Sequence, residues 1–281
     1  MTRPLGIHLS YWQRSWADDL IPLVDKAARA GYDGAEIPLL EPERLDLEGL
    51  RAALEGAGLQ ATCGTGLNPV TDITHPDEGV RRAGVAHLRR CLEAAASLGS
   101  PVLGGVTYAP WGLFPQDDRA ARRQRAVASL REVSKIAADL DVCLCLEVLN
   151  RFEGYLLNTV SQGLAFLDEI DASHVKLHLD TFHLNIEEVE IESAIVAAGE
   201  QLGHFHCSEN HRGFPGTGHI PWQAVDRALN AIDYRGWLVV EPYLQPEGEV
   251  GRDLFVWRSL TQTPDADARA GAEFLRSLTG A

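Results

Sequence analysis

Residues 142–148 read VCLCLEV. As a strand, this stretch sends Cys143, Cys145 and Glu147 to one face and Val142, Leu144 and Leu146 to the other, because successive side chains alternate. The branched apolar set suits a covering layer of helices. Glu147 then points the opposite way, at the carboxyl end of the strand. In a closed parallel barrel that position is the interior of the mouth, where active sites of the architecture lie.

The same test extends outward from this strand. Residues 174–180, HVKLHLD, place His174, Lys176, His178 and Asp180 on one face and Val175, Leu177 and Leu179 on the other. Residues 203–207 pair His204 with His206, and residues 236–241 pair Trp237, Val239 and Glu241. Four further strands are expected at 5–9, 33–38, 59–65 and 101–106, with a helical stretch after each strand. The clearest helices span 76–98 and 117–140, where Ala, Leu and Val recur at helical spacing between charged residues. Eight such units predict an α/β protein of the (β/α)8 TIM barrel type, a single domain over 1–281, in preference to a doubly wound sheet.

Composition agrees with a large core: 45% of the 281 residues are apolar, and the 26 Gly and 14 Pro form no low-complexity tract. The formal charge of -15 repels phosphodiester backbones and anionic membrane surfaces, so neither nucleic acid nor membrane is an expected partner. The first turns of sequence carry Arg3, Asp18, Asp19 and Asp25 in place of an apolar leader, which points to the cytoplasm. Cys63, Cys91, Cys143, Cys145 and Cys207 are odd in number and lack C-x-x-C spacing, so they are expected as reduced core residues.

Glu147, Asp180, His206 and Glu241 are separated by 33, 26 and 35 residues, about one βα unit each, which brings all four to one mouth. Singly, a carboxylate at a strand end also suits a helix N-cap or an ion pair. Together they form an oxygen-rich ligand set for one hard or borderline divalent ion, Mn2+ first, with Co2+ and Mg2+ as alternatives. Four protein ligands on an octahedral ion leave about two positions, enough for adjacent oxygens of a hydroxyketone.

Longer motifs surround these residues: LEVLNRFEGYLLNT at 146–159, LDTFHLNIEE at 179–188, GHFHCSENHRGFPGTGHIPW at 203–222 and VVEPY at 239–243. With GIHLSYW at 6–12, CGTGLNPVTDITHPDEGVRRAG at 63–84 and VWRSL at 256–260, they resemble the D-tagatose/D-allulose (psicose) 3-epimerase family, a branch of the xylose-isomerase-like barrels, over nearly the whole chain. The resemblance implies metal-dependent inversion of free ketoses at C3, of the D-tagatose/D-sorbose, D-fructose/D-allulose or L-ribulose/L-xylulose type. It implies Glu147 and Glu241 as the acid-base pair and as metal ligands, with Asp180 and His206 mainly holding the ion. Glu153, His183 and Arg212 would bind the ketose near its carbonyl end. A homodimer or homotetramer is implied as well.

The chemistry suits that division. The C2 carbonyl acidifies the C3 proton, and inversion needs one proton-transfer group on each face of the planar enediolate. From the residues alone, Arg212 equally suits an exposed loop charge, His183 a structural histidine, and Glu153 a partner of Arg151 or Arg212. Trp111, in YAPWG at 108–112, suits rim packing or stacking on a sugar face. His8, where relatives usually carry an aromatic residue, falls near a strand end with Glu36, Gly64 and Gly105. The loop PYLQPEGE at 242–249 carries no base, which favours free over phosphorylated ketoses. An aldose-ketose or hydroxypyruvate isomerase could use the same ligands, and an abasic-site endonuclease is the more distant alternative.

Overall fold

The computed structural model of the chain describes residues 3–279. Eight strands, β1 (Leu5–His8), β2 (Gly34–Pro38), β3 (Gln60–Leu67), β4 (Val102–Pro110), β5 (Cys143–Glu147), β6 (Val175–Asp180), β7 (Leu202–Cys207) and β8 (Leu238–Val240), pair in parallel with their sequence neighbours. β8 pairs back onto β1, with Leu5 opposite Leu238, so the sheet closes as a (β/α)8 TIM barrel. Around it run α1 (Ile21–Arg29), α2 (Leu47–Ala57), α3 (Glu78–Ser97), α4 (Arg119–Asp139), α5 (Val160–Ile170), α6 (Thr181–Glu187), α7 (Ile191–Ala198), α8 (Trp222–Ala231), α9 (Gly248–Asp253) and α10 (Pro264–Thr279).

The two longest helices begin where sequence chemistry starts them. The Asp77 carboxylate accepts the N–H groups of Gly79 and Val80, and Asp118 accepts those of Ala120 and Ala121, which satisfies donors the first helical turn leaves free. β4 runs four residues past its expected end because the β3–β4 ladder shifts register after Gly66 and resumes at Leu67 opposite Pro110. β8 is shorter than expected, and Glu241 follows its last residue.

Face assignment follows parity. Val142, Leu144 and Leu146 join one apolar cluster with Leu130 and Val133 of α4 and Phe166 of α5. The other face holds polar groups that meet across the barrel: Glu36 of β2 reaches His204 and His206 of β7, strands that are not sheet neighbours. Gly104 leaves room for this layer, since a Cβ there would stand 3.1 Å from both His178 Nδ1 and His204. Gly105 is required on two counts, with φ of 106° and a Cβ position 2.1 Å from the Thr65 carbonyl oxygen. All five cysteines are free; four are buried, whereas Cys143, at the amino-terminal end of β5, is partly exposed rather than core. Among the described residues no helix is long and apolar enough to cross a membrane.

Candidate active site

Glu147 ends β5, Asp180 ends β6, His206 lies near the end of β7 and Glu241 follows β8. Each offers one ligand atom, and the four atoms lie within 4.8 Å of one another. All four side chains are buried. Glu147 Oε1 and His206 Nδ1 lack a hydrogen-bond partner in the protein, a state that costs about 1–3 kcal/mol per buried polar group. A divalent cation would satisfy both atoms, so the residues fit the ion. Asp180 combines two roles: Oδ1 accepts the Phe182 N–H at 2.8 Å and caps α6, while Oδ2 accepts the Ser208 hydroxyl at 3.2 Å.

His178, His204 and His206 form a second close cluster, but their hydrogen bonds argue against a second ion. His178 Nδ1 accepts the Gly105 N–H at 3.2 Å, which leaves the proton of the neutral ring on Nε2. His204 Nε2 and His206 Nε2 lie 2.7 and 2.6 Å from the two oxygens of Glu36. His206 therefore turns Nδ1 toward the four-residue site, 3.5 Å from Glu241 Oε2.

Charge is balanced across this layer. Burial alone would raise the carboxyl of Glu36, yet His206 and His204 hold it well below the usual carboxylate range. Burial would likewise raise Glu241, but His206 and Arg212 outweigh it and hold its carboxyl well below the usual carboxylate range. Burial disfavours a charge on His206, but Glu36 and Glu241 carry its pKa well above the ordinary histidine value. Asp180 shifts upward because burial dominates its surroundings.

Arg212 is half-buried rather than exposed. Its φ of 62° belongs to the left-handed region, and its guanidinium lies 4.6 Å from the ring centroid of Phe182 and 5.0 Å from that of Tyr243. Nη1 donates to Glu153 at 3.2 and 3.3 Å, and Nη2 donates to Glu241 Oε2 at 2.8 Å. Glu153 thus pairs with Arg212, while Arg151 turns outward to Glu187. Trp111 Nε1 donates to Glu153 Oε2 at 3.0 Å, and its half-buried indole stacks on Phe255. His183 Nε2 stands 3.5 Å from Glu147 Oε1. His8 Nδ1 is 2.5 Å from Ser10 Oγ, and its Nε2 is 3.9 Å from Glu241 Oε1. All the expected site residues except Asp180, which lies behind, line one cavity of about 810 Å³.

Three contributors escape a reading of the sequence. Tyr243 donates to Glu241 Oε1 at 3.0 Å, and Ser10 donates to Tyr243 at 3.2 Å. Glu209, fully buried, accepts the N–H groups of Gly216 at 2.9 Å and Ile220 at 3.2 Å and the indole N–H of Trp222 at 2.7 Å. That carboxylate folds the loop that presents Arg212. A glutamate heading a Gly-rich loop is the one signal that could have pointed to it.

With this geometry in view, likeness to known proteins is informative. Residues 24–278 match the family described as xylose isomerase-like TIM barrel. The chain is 36% identical over 285 residues to the D-psicose 3-epimerase of Agrobacterium fabrum, covering 98% of this chain and 99% of that one. It is 36% identical over 274 residues to the L-ribulose 3-epimerase of Methylomonas sp., covering 96% of each. The crystal structure of the D-allulose 3-epimerase from Methylomonas sp. in complex with D-allulose superposes with a TM-score of 0.93 at 36% identity, covering 98% of this chain and 96% of that one. The chain belongs to the ketose 3-epimerases, carbohydrate isomerases of the xylose isomerase-like TIM barrel family.

Proposed function

We propose that this protein inverts C3 of free ketoses of the D-allulose, D-tagatose or L-ribulose type, with Glu147 and Glu241 as its two proton-transfer groups. The observation that carries the reading is the convergence of these glutamates, from opposite ends of the β5–β8 arc, on one buried point that also takes Asp180 and His206. A planar intermediate between them has one carboxylate toward each face, the arrangement inversion needs. A divalent ion held by the four residues, manganese first with cobalt and magnesium as alternatives, supplies Lewis-acid stabilisation of negative charge on neighbouring substrate oxygens.

The chain's own side chains do the rest. Arg212, itself clamped by Glu153, offers a fixed cation beside Glu241, and His183 offers Nε2 beside Glu147; together they orient the carbonyl end of the ketose. Trp111 and His8 close the cavity wall. The acidic charge supports a protein with no nucleic-acid or membrane partner. The reading extends to a single cytoplasmic domain that assembles as a homodimer or homotetramer, as the resemblance implies.

Chelation followed by addition of Mn2+, Co2+ or Mg2+, with a panel of free ketoses in D2O, tests the assignment. Deuterium at C3 of the epimerised ketose is the expected result. Deuterium confined to C1 with an aldose as product would replace epimerisation by aldose-ketose isomerisation.

A further inference from the structure

Asn150 opens the loop after β5 and is 1% exposed. Both ends of its carboxamide are oriented by neighbours. Oδ1 accepts the backbone N–H of Phe152 at 2.9 Å, and Nδ2 donates to Glu153 Oε1 at 2.8 Å. Exchanging the two ends would set an oxygen against a carboxylate and an NH2 group against an N–H, so the orientation is determined by the network. The NH2 group also meets Nδ1 of His183 at 2.8 Å, and the backbone N–H of Asn150 reaches the same nitrogen at 3.3 Å. Two donors converge on Nδ1.

An imidazole nitrogen that accepts N–H bonds carries no proton. We infer that Asn150 is a positioning residue that locks His183 in its neutral Nε2–H tautomer, so that an uncharged donor faces the carbonyl end of the ketose. The inference rests on the C3-epimerase reading for the identity of what His183 faces, but the tautomer itself follows from the hydrogen bonds alone. Nε2 is buried and without a hydrogen-bond partner in the protein, and it lies at the cavity beside Glu147.

Surrounding charges pull in both directions. Burial opposes a charge on this ring, as does Arg212, while Glu147 and Glu153 favour one and raise its pKa. A proton added at Nδ1, however, would set three N–H donors against one another, and turning Asn150 aside to relieve them would break its bond to Glu153. The local donors decide the matter. A neutral Nε2–H stabilises negative charge developing at the carbonyl end without surrendering its proton. An imidazolium at the same place, 3.5 Å from Glu147 Oε1, would be an acid able to protonate the base.

The test is a long-range proton–nitrogen spectrum of histidine-labelled, magnesium-loaded protein, with His183 assigned by the signals missing from His183→Gln. Across roughly pH 6–8 we expect an unprotonated Nδ1 and a protonated Nε2. A protonated Nδ1 in the unaltered protein overturns the inference. In Asn150→Asp the acceptor-only side chain should draw a proton onto Nδ1, with kcat falling at least roughly tenfold and the thermal midpoint staying within a few degrees. If that variant fails to fold, Asn150→Ala should show both tautomers populated and a smaller loss of kcat. An unchanged His183 spectrum together with unchanged kcat in the folded variant removes Asn150 from its role. The assigned tautomer in a protein that turns over no ketose would sustain the lock on His183 but overturn its placement at a ketose carbonyl, and with it the C3-epimerase reading.

Discussion

Glu36 Oε1 lies 2.6 Å from Nε2 of His206, a carboxylate of β2 reaching across the barrel to an imidazole of β7. The contact determines which nitrogen of His206 faces the candidate metal site, because a carboxylate holds its partner nitrogen protonated and turns the other toward the ion's position. Glu36 shares its second oxygen with His204, so one buried side chain orients two rings.

Replacing Glu36 with Gln puts an NH2 group against one of these ring N–H groups and releases the tautomer of His206. Affinity for Mn2+, read by titration calorimetry, should fall about 10–100-fold. An unchanged dissociation constant would show that His206 is oriented by other contacts.

Glu147→Gln and Glu241→Gln should each lower kcat at least roughly 100-fold, the usual scale for removing a general acid or base. Each variant keeps one carboxylate, so each should still exchange the C3 proton of one epimer with solvent deuterium without inverting it. The exchanging epimer should differ between the two. Near-normal turnover in either variant excludes that glutamate from the pair.

Glu153 connects stability to pH. Burial opposes its charge, but the Arg212 guanidinium and the hydrogen bonds from Asn150 and Trp111 bring its pKa down to about 2, from an ordinary 4.5. A depressed carboxyl contributes stability that is complete above the ordinary value and is lost as pH falls through it toward 2. At neutral pH the contribution is on the order of 3 kcal/mol. Urea unfolding of metal-free protein should show Glu153→Gln less stable than the parent at pH 7, with the gap narrowing toward pH 3. A gap independent of pH would contradict the linkage.

Glu209 should control substrate binding through the loop it folds. In Glu209→Gln an NH2 group faces backbone and indole donors, which costs about 1–3 kcal/mol of stability and loosens Arg212, so KM should rise more than kcat falls. Gly218→Ala attacks the same point, since its Cβ would stand 2.5 Å from Glu209 Oε2 and 2.2 Å from Asn210 Oδ1. Steady-state kinetics of both variants check this, and an unaltered KM in both would detach the loop from binding.

Much of the site is legible along the chain because its members are tied to strand ends. Glu147, Asp180, His206 and Glu241 each follow from alternation within a strand plus one βα unit of spacing. Arg212 and Glu153 are visible as residues, but their pairing is not, since Arg151 stands two positions from Glu153 and equally offers a guanidinium. The fold separates the two arginines by sending Arg151 outward to Glu187.

Sequence alone determined the strand faces, the eight repeating units and the mouth at which four ligand-type side chains meet, because side-chain alternation and unit spacing are local properties of the backbone. Only the closed barrel decided how the ring nitrogens are assigned. Glu36 and His206 stand 170 positions apart and Asn150 and His183 stand 33 apart, and no local pattern links either pair. Hydrogen bonds across the lumen and between neighbouring loops exist only once β8 has joined β1, and it is those bonds that turn a set of polar residues at one mouth into a site with defined proton positions.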